Sequence, residues 1–206
     1  MKTKHFRLFR FYLGRLSVVI LIILFPGKLA AKDRIYPLSV TLMNESWAFP
    51  FSELGRFDPL YPGFTVGINR LRTDRLITFP QAVNVGYFYN RNVGSAAFLH
   101  VNQGIRSALD CGFFFEFSLG LGYFHAFNPG DIYQKQGEVY EKARNTGKPG
   151  LMVSFSQTAG FDLSRKSDLP LAPFIRYQWI ASSPYFDMVI PIRPTGLVHL
   201  GTLIYF

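Results

Sequence analysis

The sequence predicts an all-β fold, a closed antiparallel up-and-down transmembrane β-barrel of eight strands. Three observations predict it. The chain opens on a basic segment followed by a short apolar run, the order of an export signal. After that segment, short stretches of period-two alternation follow one another between turn residues, and nowhere are there the ~20 consecutive apolar residues that a membrane helix needs. The last nine residues alternate to the final position, with Val198, Leu200, Thr202, Ile204 and Phe206 on one face and His199, Gly201, Leu203 and Tyr205 on the other. A strand running flush to a terminus frays unless a sheet ties it down, and the expected tie is a closed one.

The first element is residues 1–31. Lys2, Lys4, Arg7, Arg10 and Arg15 precede an apolar run from Leu16 to Phe25 broken only by Ser17; Pro26-Gly27 and Leu29-Ala30-Ala31 follow. A run of about ten residues is too short for a bilayer span, so the expectation is a signal peptide cleaved near Ala31. That segment holds six basic residues and no acid, which leaves 22 − 6 = 16 basic against 13 acidic residues, a net of +3. The formal +9 therefore describes mainly the export segment. No basic helix or aromatic-interleaved basic patch remains to suggest a nucleic-acid partner. Cys111 is the only cysteine, which excludes an internal disulfide and, away from the cleavage site, a lipid anchor. His100, His125 and His199 lie too far apart in sequence for a zinc motif, and no metal or other cofactor is expected.

The second element is one barrel domain over residues 32–206, with strands expected near 36–46, 62–71, 79–90, 94–106, 111–126, 150–162, 171–181 and 194–206. Eight is preferred to ten, although 47–61 and 182–193 leave room for further strand. Three of the four odd connections (47–61, 91–93, 127–149 and 182–193) are long, and the even ones (72–78, 107–110 and 163–170) are short, an asymmetry typical of transmembrane barrels. The longest connection mixes Asp131, Lys135, Glu138, Glu141, Lys142, Arg144 and Lys148 with Tyr133 and Tyr140. It reads as a solvated, partly ordered loop, with a binding surface as the less favoured reading. The last connection is apolar, with Tyr185, Phe186, Met188, Val189, Ile190 and Ile192 among three prolines.

Alternation assigns the faces. Phe113, Phe115, Phe117, Leu119, Leu121 and Tyr123 alternate with Gly112, Phe114, Glu116, Ser118, Gly120 and Gly122, and neighbouring segments repeat the pattern. An open edge in hydrocarbon costs several kcal/mol per unpaired backbone group, so a lipid-facing sheet must close. An eight-stranded barrel is just filled by its own side chains, which argues against a wide pore. Glycines 86, 104, 112, 120, 122 and 201 are expected inward, and Tyr87, Tyr89, Tyr123, Tyr177 and Trp179 outward as aromatic girdles. The inward face gathers a polar cluster of Glu45, His100, Asn102, Arg106, Glu116, Arg176 and His199, joined by Asn84 and Gln178. Two carboxylates, two arginines and two histidines in a narrow lumen read first as mutually paired filling, with Glu116 facing Arg106 and Arg176 nearby.

The closing strand, ending on Phe206, resembles the terminal strand of bacterial outer-membrane β-barrels, where a final Phe is the recognition signal for the barrel-insertion machinery. The order of segments, Pro62-Gly63-Phe64, Leu119-Gly120-Leu121-Gly122-Tyr123-Phe124-His125 and Leu200-Gly201 resemble barrels of unassigned activity in Gram-negative genomes of the Bacteroidetes type. The resemblance implies an outer-membrane location, outer-membrane lipid and lipopolysaccharide as partners, and a structural or loop-mediated binding role whose ligand stays open. A second reading is a lipid A-acting acyl hydrolase. His100-Val101-Asn102-Gln103-Gly104 resembles the His-x-Ser-Asn-x-Gly segment of the lipid A deacylases, but Asn102 stands where that family has its nucleophile. In that reading His100, Ser118 and Glu116 would be catalytic, with Ser154 or Ser156 as substitutes for the serine.

Overall fold

The computed structural model describes residues 34–46, 60–72, 76–91, 94–127, 129–130, 132–136, 139–143, 146–167, 169–183 and 192–206. Residues 1–31, expected to be a signal segment, most of connection 47–61 and residues 184–191 of the last connection lie outside them. Eight strands form the wall: β1 Leu38–Ser46, β2 Pro62–Arg72, β3 Gln81–Phe88, β4 Ser95–Ala108, β5 Phe113–Phe127, β6 Lys148–Phe161, β7 Leu171–Ser183 and β8 Arg193–Ile204. Each pairs antiparallel with its sequence neighbours, and β8 pairs back onto β1 from Gly196↔Ser46 to Ile204↔Leu38. The sheet is therefore a closed barrel.

Register fixes its shape. The row through Arg70, Gln81, Gln103, Leu119, Phe155, Trp179 and Gly196 starts opposite position 36 and returns to β1 at Ser46, a stagger of 46 − 36 = 10 residues. With eight strands this inclines the wall by roughly 40° and sets a backbone radius of roughly 8 Å, which side chains fill.

The expected strands and the observed ones agree to within a few residues at each end. Two short pieces, Arg34–Ile35 and Ile77–Thr78, extend the ladders on β2 and β4 without adding to the ring. Two expectations are corrected. Cys111 and Gly112 belong to the turn between β4 and β5, where Gly112 has φ +96°, so Gly112 does not line the lumen wall. The 127–149 connection contains a hairpin, Ile132–Gln136 paired with Val139–Ala143, where a partly ordered loop was expected. The shortest odd connection closes on Gly94, at φ +112°, whose N–H donates to the Asn90 carbonyl at 2.9 Å.

The polarity of the wall is inverted relative to a water-soluble protein. Outward side chains are apolar on every strand, among them Leu42, Phe64, Val85, Leu99, Leu119, Leu151, Ile175 and Leu200, and Leu42 is 71% exposed. Each such side chain left in water forfeits about 1.5–3 kcal/mol. Over a whole circumference that exceeds the ~5–15 kcal/mol by which a domain is stable. The inward side is rich in Asn, His, Arg, Ser and Thr.

Candidate functional site

The lumen is built in three layers, and the inward residues of each strand show why. Along β7 they read Ala172-Phe174, then Arg176-Gln178, then Ile180; along β4, Ala96-Phe98, His100-Asn102, Arg106, then Ala108. Toward the long connections, Met43, Phe88, Phe98, Phe124, Met152, Ile180 and Leu197 form one apolar plug. Toward the short turns, Leu71, Phe114, Ala172, Phe174 and Leu203 form another. Both plugs are made of buried side chains, so the polar middle lies between two apolar layers.

All seven residues of the anticipated polar cluster are buried, between 1% and 7% exposed, but they do not form one cluster. Glu45 lies at the loop end, where its carboxylate accepts from Asn90 Nδ2 at 2.7 Å. Arg106 and Glu116 pair at the opposite end of the polar layer: Nη2 and Nε both donate to Oε2, at 2.7 and 2.8 Å. The Arg106 guanidinium also covers the Phe114 ring at 4.3 Å. Arg176 donates from Nε to Thr158 Oγ1 at 2.9 Å and stands within Coulombic reach of both Glu116 and Arg106. Across the lumen, Gln178 donates to His100 Nε2 at 3.4 Å, and Thr41 Oγ1 shares a hydrogen bond with His199 Nδ1 at 3.3 Å.

Glycines seat the larger groups. Asn102 lies over Gly120 beside Ser154, Asn84 over Gly67, and His100 against Gly122, so a Cβ at any of these glycines would meet the neighbour's side chain or backbone. Both Asn84 amide atoms, Asn102 Oδ1, His100 Nδ1 and His199 Nε2 have no partner among the described residues.

The residues of the hydrolase reading occupy the same layer but each is engaged elsewhere. Ser118 shares a hydrogen bond with Ser156 at 2.6 Å, Glu116 belongs to Arg106, and His100 meets Gln178. A threonine hydroxyl, that of Thr41, meets His199, and both residues are almost wholly buried. Among the described residues no group of three or more His, Cys, Asp or Glu could hold a metal ion.

No protein-family model matches the chain, and no curated protein does. Solved structures do match. The chain is similar to Ail, the attachment invasion locus protein of Yersinia pestis, in complex with the heparin analogue sucrose octasulfate, at 11% identity over 84% of this chain and 99% of that one, TM-score 0.49. It is also similar to Neisserial surface protein A, at 14% identity over 86% and 100% of the two chains, TM-score 0.46. A third is the N-terminal beta-barrel domain of Pseudomonas aeruginosa OprF, at 11% identity over 84% and 100%, TM-score 0.42.

Two groups that the sequence did not single out lie at the barrel's ends. At the loop end, His125 Nε2 donates to the Thr146 carbonyl at 2.8 Å and Nδ1 shares a hydrogen bond with the Tyr123 hydroxyl at 2.6 Å, so the imidazole is tied at both nitrogens. Its signal was the outward aromatic run Tyr123, His125, Phe127. At the turn end, Tyr205 directly follows β8 and its N–H donates to the Pro170 carbonyl at 2.9 Å. The Tyr205 hydroxyl approaches Asp162 Oδ2 at 3.5 Å, and burial, with the Asp162 carboxylate second, pushes its phenol up to about 12. Phe206, beyond it, is 90% exposed.

Proposed function

We propose that this chain is an exported integral outer-membrane protein, a sealed eight-stranded barrel with no enzymatic chemistry of its own, whose role is structural or carried by its loops in binding. In this reading residues 1–31 are removed as a signal peptide and Phe206 is read by the barrel-insertion machinery. Lipid and lipopolysaccharide surround the wall. The observation that carries the reading is the inverted polarity: an apolar belt on all eight strands outside and a polar, plugged layer inside. A membrane is the solvent that makes such a wall favourable, and closure satisfies every strand edge in it.

A conducting role is disfavoured by the two apolar plugs, and a hydrolase role by the hydrogen bonds that engage Ser118 with Ser156 and His100 with Gln178. The test is fractionation followed by a denaturing gel with and without boiling. A protein in the outer-membrane fraction whose mobility shifts on heating supports the reading. Recovery in the soluble periplasm, or no shift, would overturn it. Lipid A from cells carrying the chain is expected to keep all its acyl chains, and loss of one would revive the hydrolase.

A further inference from the structure

Between the two apolar plugs the charges of the lumen do not cancel. Among the described residues the charged side chains there are Arg106, Glu116 and Arg176, two guanidinium groups against one carboxylate. That carboxylate is taken by Arg106, which donates to it from both Nη2 and Nε. Arg176 makes no ion pair among the described residues, and its hydrogen bond runs from Nε to the Thr158 hydroxyl, so the layer carries one positive charge in excess. A buried charge without a counter-charge costs far more than a buried neutral polar group.

Unpaired hydrogen-bonding groups gather in the same layer. Arg176 and His199 are direct register partners on β7 and β8, and both are inward. Two residues along β7, Gln178 Nε2 meets His100 Nε2; an amide nitrogen only donates, so the His100 ring carries its proton on Nδ1, and that N–H has no partner. His199 Nε2 is unpaired, and so are both amide atoms of Asn84, which stands opposite His100 in register on β3. Arg176, His199, His100 and Asn84 are each between 1% and 5% exposed. His199 lies within Coulombic reach of both Arg176 and His100.

The chemistry of these groups selects what they hold. Two imidazoles suit a metal cation, but the guanidinium beside them repels one. Water serves the unpaired amide oxygens of Asn84 and Asn102 and leaves the charge unbalanced. An anion accepts from the Arg176 Nη groups and the His100 Nδ1–H and cancels the charge as well. An eight-stranded lumen is nearly filled by its own side chains, and apolar layers bound this one at both ends, so the anion has to be small.

We propose that the polar layer binds one small monovalent anion of chloride size, held by Arg176 and His100, with His199 and Asn84 completing the donors. The inference rests on the closed barrel and not on the solvent around it. The test uses the full chain folded in detergent and unfolded by urea at constant ionic strength, with chloride replacing gluconate, a carboxylate too large for the lumen. In wild type the folded-to-unfolded ratio should rise by roughly tenfold for each tenfold of chloride above the dissociation constant. Arg176→Gln should remove that dependence, while Lys166→Gln, on the exposed turn between β6 and β7, should keep it. Crystals of the wild type grown in bromide give a readout that needs no variant to fold, and an anomalous peak beside Arg176 inside the barrel is expected. A wild type indifferent to chloride would overturn the site, as would an Arg176→Gln barrel with the wild-type dependence. Bromide peaks confined to the outer surface, an adventitious ion only, would overturn it too.

Discussion

Arg106 and Glu116 face each other in register on β4 and β5, and their side chains close to 2.7 Å inside a barrel that leaves each less than a tenth exposed. Removing one partner strands the other charge in the lumen. Glu116→Gln or Arg106→Ala is expected to cost about 3–5 kcal/mol in urea unfolding from lipid vesicles, whereas Arg106→Met combined with Glu116→Leu should stay near wild type. Single variants as stable as the wild type would mean that water reaches the pair.

The glycine seats predict a second set of outcomes. A methyl at position 122 meets the Leu99 carbonyl and the His100 Cβ, so Gly122→Ala should destabilise by about 1–3 kcal/mol in the same titration. Gly130, with open space around it, is the control, and Gly130→Ala should leave the unfolding midpoint unchanged.

The outer belt is tested by charge. Leu119 is 64% exposed and sits in mid-strand, so Leu119→Arg should cost about 2–4 kcal/mol when unfolding is followed from a bilayer. A soluble barrel would tolerate the same change or gain solubility from it, and that result would remove the bilayer from the account.

The closing end has a pH signature. Tyr205 holds its proton more tightly folded, to about 12, than its ordinary value of 10.0. The neutral phenol's contribution is thus fully present below pH 10 and is lost as pH rises toward about 12. Unfolding midpoints of wild type should fall more steeply across that window than those of Tyr205→Phe, and parallel curves would show that the hydroxyl has no part in the latch to Asp162.

The legible and illegible parts of this structure divide by sequence distance. Arg106 and Glu116 are ten residues apart across one turn, and period-two alternation on either side of that turn puts them on one face and opposite each other. His100 and Gln178 are 78 residues apart, and no local pattern announces that their side chains meet. The hairpin in the long connection was overlooked for another reason. Its strands, Ile132–Gln136 and Val139–Ala143, set their larger apolar residues side by side, Ile132-Tyr133 and Val139-Tyr140, with polar residues following, so they lack the apolar period that marks the barrel strands. Gly112 shares the alternation of β5 but sits where the chain must turn, and the positive φ it adopts is a property of the turn.

By itself the sequence determined the face that side chains take along the strands and the inversion of polarity, because both follow from a two-residue period repeated between turns, while it preferred eight strands to ten and left room for more in two connections. Closure of β8 on β1, the ten-residue stagger, the glycine seats under Asn84 and Asn102, and the division of the lumen polar groups into separate pairs between two apolar plugs were decided only by the tertiary structure. The reason is geometric. Which inward side chains meet across the barrel depends on how far each strand has slid past its neighbour by the time the sheet returns to its first strand, and that slide accumulates over the whole ring.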